Sequence, residues 1–137
     1  MATTIRKTAY YSIQAPNRAG QAAHLLGGLA GHGINLLAFT GFPHAGRAQV
    51  DFIPYDAAKF GRAARRLGLK IGAKKTVFLA QGADESGAIA KICDKLAKAR
   101  INMVAMDAVA AGKGRFGAIF WVKPRDVAKA TKTLGAH

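Results

Sequence analysis

The chain repeats itself. Displaced by 67 positions, the sequence sets Gln14 on Gln81, Gly20 on Gly87, Ala23 on Ala90, Leu29 on Leu96, Ala30 on Ala97, Ile34 on Ile101, Asn35 on Asn102 and Ala38 on Ala105. Asn17 falls on Asp84, Leu25 on Ile92 and Leu36 on Met103 as similar residues. Beyond residue 50 the displacement becomes 70, matching Asp56 to Asp126, Ala58 to Ala128 and Lys59 to Lys129. The second copy therefore carries about three extra residues, expected at a lengthened turn near Gly112 and Gly114. Such self-similarity means one supersecondary unit built twice, and a unit of under ~70 residues is marginal alone, so two copies should pack on each other. The copies are read as residues 1–70 and 71–137.

Each copy reads as the same order of elements. Tyr10 to Gln14 is rich in β-formers, and Pro16-Asn17-Arg18-Ala19-Gly20 is turn chemistry opening a helix whose Ala22, Leu25, Leu26 and Leu29 follow a 3.6 period. Gly31 and Gly33 stop that helix, and Ile34 to Thr40 and Ala48 to Ile53 read as strands around a turn at Pro43 to Gly46. Asp56 then caps a helix presenting Ala57, Phe60, Ala64 and Leu67, with Lys59, Arg62, Arg65 and Arg66 on its outer side. The second copy repeats this with Lys75 to Gln81, a helix from about Glu85 to Lys98, strands near Ile101 to Ala110 and Phe116 to Val122, and a helix opened by Pro124. Leu69 to Ile71 is expected as the fourth strand of the first unit; the chain ends at His137 before a second one. The fold class is thus α+β, two ferredoxin-like βαββαβ units with antiparallel sheets and helices on one face.

Composition narrows the function. Half of the 137 residues are hydrophobic, which excludes a disordered basic tail. The apolar run Ile101 to Ala111 is far shorter than the roughly 20 residues of a membrane helix and is broken by Asn102 and Asp107. Arg6 and Lys7 are followed by no apolar stretch of the kind a signal peptide needs, so a cytoplasmic location is expected, with no membrane role. The single Cys93, among Ile89, Ile92 and Leu96, reads as a core thiol. His24, His32, His44 and His137 have no metal-binding spacing, and no nucleophile motif or phosphate loop is present. No catalytic residue, metal or cofactor is therefore expected; Gly112-Lys113-Gly114 reads as a hairpin turn.

The chemistry recurs with the glycine. Asn17 stands three residues before Gly20 and Asn35 fifteen after it, and loop and second strand are expected to meet in space. A glycine at a helix N-terminus lets a ligand approach backbone N–H groups, and the positive helix end favours a carboxylate. The asparagine amides offer both donors and acceptors for an ammonium and a carboxylate, so a free α-amino acid suits the arrangement. The bland reading is that the glycines only permit the strand-to-helix turn and the asparagines satisfy nearby backbone.

The stretch Asn17-Arg18-Ala19-Gly20, an amphipathic helix, and then Gly33-Ile34-Asn35-Leu36 resembles the ACT domain, the small regulatory module of amino-acid metabolism, and does so twice over nearly the whole chain. In the ACT domain of phosphoglycerate dehydrogenase, an Asn-Arg-Pro-Gly loop and an Asn at the following strand bind serine across a subunit interface. The resemblance implies ligand-binding positions at Asn17, Arg18, Ala19, Gly20, Ile34 and Asn35, and in the second copy at Asp84, Glu85, Ser86, Gly87, Ile101 and Asn102. Ala19 stands where that loop has Pro and Ala15 where it has a contacting His, so serine itself is not implied; Asp84 and Glu85 make the second site more negative. The resemblance further implies a non-catalytic, allosteric regulator: a tandem protein that forms a homodimer, binds an amino acid and acts on an enzyme or other protein partner.

The same βαββαβ order also describes the RNA-recognition motif. Phe116-Gly117-Ala118-Ile119-Phe120-Trp121 and Val77-Phe78-Leu79 fall where that family's stacking aromatics sit, but Gly114-Arg115 reverses the expected basic-Gly pair and Ala48 and Gln49 replace the rings in the first copy. Nucleic acid is thus an alternative partner that is not favoured. A net charge of +14 suits solubility or a salt-sensitive attraction to nucleic acid or acidic partners.

Overall fold

Two left-handed glycines set where the first helix of each copy begins. Gly20 (φ 85°) and Gly87 (φ 84°) turn the chain at the N-caps of α1 (Gln21–Gly31) and α3 (Ala88–Lys98), a conformation that only a residue without Cβ adopts without strain. The computed structural model describes residues 3–137, which divide into two modules. The N-terminal module is Ala9–Lys75; the C-terminal module is Thr76–His137 together with residues 3–8. Strand β1 (Thr4–Ala15) therefore contributes its two halves to different modules.

In the N-terminal module, β1 is followed by α1, β2 (Leu36–His44), β3 (Arg47–Pro54) and α2 (Ala57–Arg66), with strand order β2-β3-β1. Both pairings are antiparallel, with Ser12 opposite Asp51, Ala15 opposite Ala48, Leu36 opposite Pro54 and His44 opposite Arg47. Alternation along the strands sends Ile13, Ala15, Val50 and Phe52 to one face, where Leu25, Leu29, Phe60, Ala63 and Ala64 of the two helices cover them. The Asp56 carboxylate caps α2 by accepting from Lys59 N at 3.0 Å, as its sequence position predicts.

The C-terminal module runs β4 (Lys75–Ala83), α3, β5 (Met103–Gly112), β6 (Arg115–Val122), a 3-10 turn at Pro124–Asp126 and α4 (Val127–Leu134), with order β1-β4-β6-β5. Phe78 and Phe120 stack at 5.3 Å in a core closed by Ile92, Leu96, Ala130 and Leu134. The fold is α+β with βαββαβ-like units, as the sequence predicts.

Two expectations are corrected. Leu69 to Ile71 forms no strand: bracketed by Gly68 (φ 69°) and Gly72, it is too short to ladder, and only Gly72 N reaches Ser12 O (3.0 Å) while Leu69 and Ile71 plug the core. In the C-terminal module the place beside β4 is filled by residues 4–8, and His137 adds backbone bonds to Lys7 and Ile5. The extra length is also split. The copies stay 67 apart through the start of β5, 68 apart at β6 and 70 apart at α4. Only one added residue lies near Gly112, where the register with β6 slips between Ala110 and Gly112; the other two lie in the connection containing the 3-10 turn.

The repeat is uneven at the ends of its first helices. Gly33 (φ 72°) follows α1, whereas the matching residue after α3 is Arg100, held at φ 60°. An L side chain in this conformation costs about 1–2 kcal/mol. Arg100→Gly should therefore raise the urea midpoint, with a gain near 1 kcal/mol; no gain would mean that Arg100 makes a compensating contact.

Candidate functional site

The loop between β1 and α1 stands at the exposed end of the N-terminal module. Pro16, Asn17, Arg18, Ala19 and Gly20 are all exposed, with Arg18 N donating to Pro16 O (3.1 Å) and Gln21 N to Arg18 O (3.3 Å). Beside it a cleft of about 370 Å³ opens between the start of α1 and the end of the β2–β3 hairpin. Pro16, Asn17, Arg18, Gln21 and Ala22 line one side, Phe42 and Pro43 the other, and Ala15, Leu25, Phe39, Ala48 and Val50 the inner wall. Gly41 places no side chain in that space; a Cβ there would come within 3.3 Å of Val50 Cγ1. The lining is mostly apolar, with two amides, one guanidinium and no carboxylate.

Of the site residues expected in this copy, Asn17 and Arg18 line the cleft, while Ala19 and Gly20 shape the exposed turn beside it. Ile34 packs against the core, and Asn35 is exposed at the opposite end of the sheet. Its Oδ1 accepts from Leu36 N (3.0 Å) and its carbonyl from Tyr55 N (3.2 Å). The expected meeting of Asn35 with the loop does not occur within the module. β3 lies between β1 and β2, and the helical crossover makes β2 start where β1 starts. Six residues of strand separate Ala48 from Pro54, roughly 20 Å.

The second copy differs around its loop. Asp84, Glu85, Ser86 and Gly87 are exposed, but Asp84 N donates to Gly114 O (2.9 Å), tying the loop to the β5–β6 turn. Among the described residues no such backbone bond joins Asn17 to its own hairpin, and the cleft opens there instead. The Glu85 carboxylate faces Lys91 of α3 at 3.9 Å. Ile101 is buried in the core, and Asn102 is exposed at the far end, beside the β5 residue Met103 that pairs with Val122.

Sequence reasoning missed the hairpin side of the cleft, Phe39, Gly41, Phe42 and Pro43. The available signal was a strand with apolar residues on both faces and a glycine between two phenylalanines. On the face away from the helices, Asp51 is buried and accepts from Ser12 Oγ (2.6 Å) and Gln49 Nε2 (3.1 Å). Tyr10, on the same strand face, has its phenol pKa raised by burial and then by the Asp51 charge. The aromatic residues proposed as RNA-stacking groups are not on an open sheet: Phe78, Phe116 and Phe120 lie in the core under the helices. Cys93 is half-buried rather than fully in the core. Among the described residues no cluster of three metal-binding side chains occurs, and no helix is long and apolar enough to cross a membrane.

No protein-family model matches this sequence, and no curated protein sequence matches it. Solved structures do. Protein BT0572 from Bacteroides thetaiotaomicron superposes with a TM-score of 0.76 at 18% identity, over 97% of this chain and 88% of that one. The ligand-free regulatory subunit of aspartate kinase from Thermus thermophilus matches with a TM-score of 0.65 at 17% identity, over 98% and 95%. Aspartokinase III of E. coli in complex with lysine and aspartate matches with a TM-score of 0.60 at 13% identity, over 98% of this chain but 32% of that one. The fold is shared with these structures, two of them an aspartate kinase regulatory subunit and an aspartokinase, and it agrees with the fold that the resemblance read from the sequence implies.

Proposed function

We propose that this chain is a non-catalytic, cytoplasmic regulatory protein that binds an α-amino acid with an apolar side chain at the Asn17–Arg18 loop and transmits occupancy to an enzyme or other protein partner. The observation that supports this most is the cleft itself, an apolar wall with one cation at its rim. In this reading the Arg18 guanidinium takes the ligand carboxylate, a charge-assisted contact. The amide oxygens of Asn17 and Gln21 take the ammonium, and Leu25, Phe39 and Val50 take the side chain. A lysine effector would require a carboxylate for its distant ammonium, and the lining supplies none. Asn35 lies too far from its own loop to contribute, so it would serve a loop of the partner copy in a homodimer. The loop of Asp84, Glu85, Ser86 and Gly87 would form a second, weaker site, with Asn102, like Asn35, serving the loop of a partner copy. Binding one association state better than another shifts the equilibrium between them.

A thermal-shift screen of the twenty amino acids tests the reading, since a ligand at 100 times its Kd stabilises the folded state by about 2.7 kcal/mol. Leucine, isoleucine, valine, phenylalanine or methionine should raise the midpoint, while lysine and aspartate should not. Arg18→Met should weaken the response at least about tenfold, and Ala22→Trp, which fills the mouth from an exposed helix position, should remove it. A response unchanged by Ala22→Trp, or no response to any amino acid, refutes the cleft; a response to lysine alone refutes only the apolar assignment.

A further inference from the structure

The exposed face of α2 carries Lys59, Arg62, Arg65 and Arg66, spaced three and four residues apart so that the charges share one side of the helix. Exposed Lys70 follows, just beyond the point where Leu69 N closes onto Ala64 O. Lys59 Nζ donates to Gly33 O at 2.9 Å. Among the described residues no carboxylate lies within ion-pairing distance of Arg62, Arg65 or Arg66. The nearest acid along the helix, Asp56, is engaged as the cap and stands about 9 Å along the axis from Arg62. Helix α3 behaves differently: Lys98 pairs with Asp94 at 2.9 Å and Lys91 with Glu85 at 3.9 Å. Two of the three cations on α3, Lys91 and Lys98, thus face a carboxylate, whereas among the described residues Arg62, Arg65 and Arg66 on α2 face none.

Three kinds of anionic partner could neutralise such a face, and its remaining composition chooses between them. A bilayer surface needs apolar side chains to insert, but the apolar residues of α2 that pack, Phe60, Ala63 and Ala64, are buried in the core. An acidic protein surface needs a desolvated aromatic or aliphatic anchor at the centre of the contact, and the exposed face offers only Ala58 besides its charges. A phosphodiester backbone needs neither. Its affinity comes from counterion release, and guanidinium groups match phosphate oxygens in a bidentate way. The chain's net charge of +14 adds long-range attraction. We propose that the face of α2 formed by Arg62, Arg65, Arg66 and Lys70 is a sequence-independent docking surface for the phosphate backbone of nucleic acid. This surface is independent of the amino-acid cleft.

Fluorescence anisotropy on the full chain with a mixed-sequence 20-base-pair DNA duplex and a single-stranded RNA of equal length tests it. Four neutralised phosphates give a slope of log K against log salt of about −3.6 on duplex and about −2.8 on single strands. Between 50 and 200 mM salt the duplex affinity should then fall about 150-fold. The variant Arg62→Gln/Arg65→Gln/Arg66→Gln, whose positions are exposed, should keep its fold by circular dichroism and leave a slope near −1, about a fourfold fall. Lys91→Gln/Lys95→Gln/Lys98→Gln removes the same formal charge from α3 and should leave the slope unchanged. Binding to either polymer that shows this pattern supports the surface, and the stronger polymer identifies the source of the phosphate. No binding at 50 mM, an equal loss in the α3 variant, or α2-dependent binding to polyglutamate but not to nucleic acid would overturn it.

Discussion

Phe60→Ala should lower the unfolding free energy by about 3–5 kcal/mol, among the largest losses any single truncation of this chain can produce. Phe60 is fully buried and holds two contacts at once, stacking on Tyr11 at 5.2 Å and meeting Phe52 at 5.5 Å. Phe52 in turn meets Phe39 at 5.3 Å, so the ring row runs from α2 across β1 and β3 to the inner wall of the cleft. Removing the ring takes away its transfer free energy and leaves a cavity that the sheet, fixed by its ladder, cannot collapse to fill. Urea unfolding followed by circular dichroism measures the loss, and Phe60→Leu, which keeps much of the volume, should recover more than half of it. A loss under 1 kcal/mol for Phe60→Ala would mean that the module is not held together by this row. The same variant should weaken any cleft ligand, because Phe39 loses the support behind it.

Much of the fold was legible because two independent signals agreed. The repeat gave the element order twice, and the glycine at position 20 marked the first helix start; the second helix, expected from about Glu85, begins three residues later at Ala88, after Gly87 at the same left-handed φ as Gly20. The cap at Asp56 and the packing of Phe60 and Ala64 followed from local chemistry alone. What failed required knowledge of strand order. Periodicity shows that Leu69 and Ile71 are apolar, which a plug and a strand satisfy equally, and it carries no information on which segment fills an edge. The use of residues 4–8 beside β4 is a long-range choice that no local pattern encodes. The expected meeting of Asn35 with its own loop failed in the same way. Asn17, Arg18 and Asn35 were singled out by spacing along the chain, yet spacing does not say that β3 separates β1 from β2 and puts Asn35 at the far end. About a third of the cleft lining comes from β2, whose phenylalanines look like ordinary core residues until the register with β3 shows Phe42 opposite Gln49 on the other face.

The largest effect expected from adding atoms rather than removing them is at Gly82. This glycine is buried near the end of β4, and a Cβ built on it would stand 2.7 Å from Thr3 Oγ1, 3.0 Å from Thr3 Cα and 3.1 Å from Phe116 Cε1. The first contact could be relieved by rotating a hydroxyl. The second is backbone, and the third is the edge of a core ring, so neither yields without moving a strand or repacking the core. Gly82→Val, with two further methyl groups, should therefore cost at least about 3 kcal/mol, the upper end of overpacking losses. Relief would come by lifting the start of the chain from β4, which breaks the strand that stands in for the module's fourth. Limited proteolysis should then cut near residues 3–8 in the variant before the rest of the chain unfolds. Gly117 is the matched control: it lies in β6 opposite Gln81, and a Cβ there meets nothing within 4 Å. Gly117→Ala should be neutral or stabilising by about 0.5–1 kcal/mol, since alanine loses less backbone entropy in a strand than glycine does. Equal effects at the two glycines would show that strand propensity, and not the close approach of the first strand to β4, governs position 82.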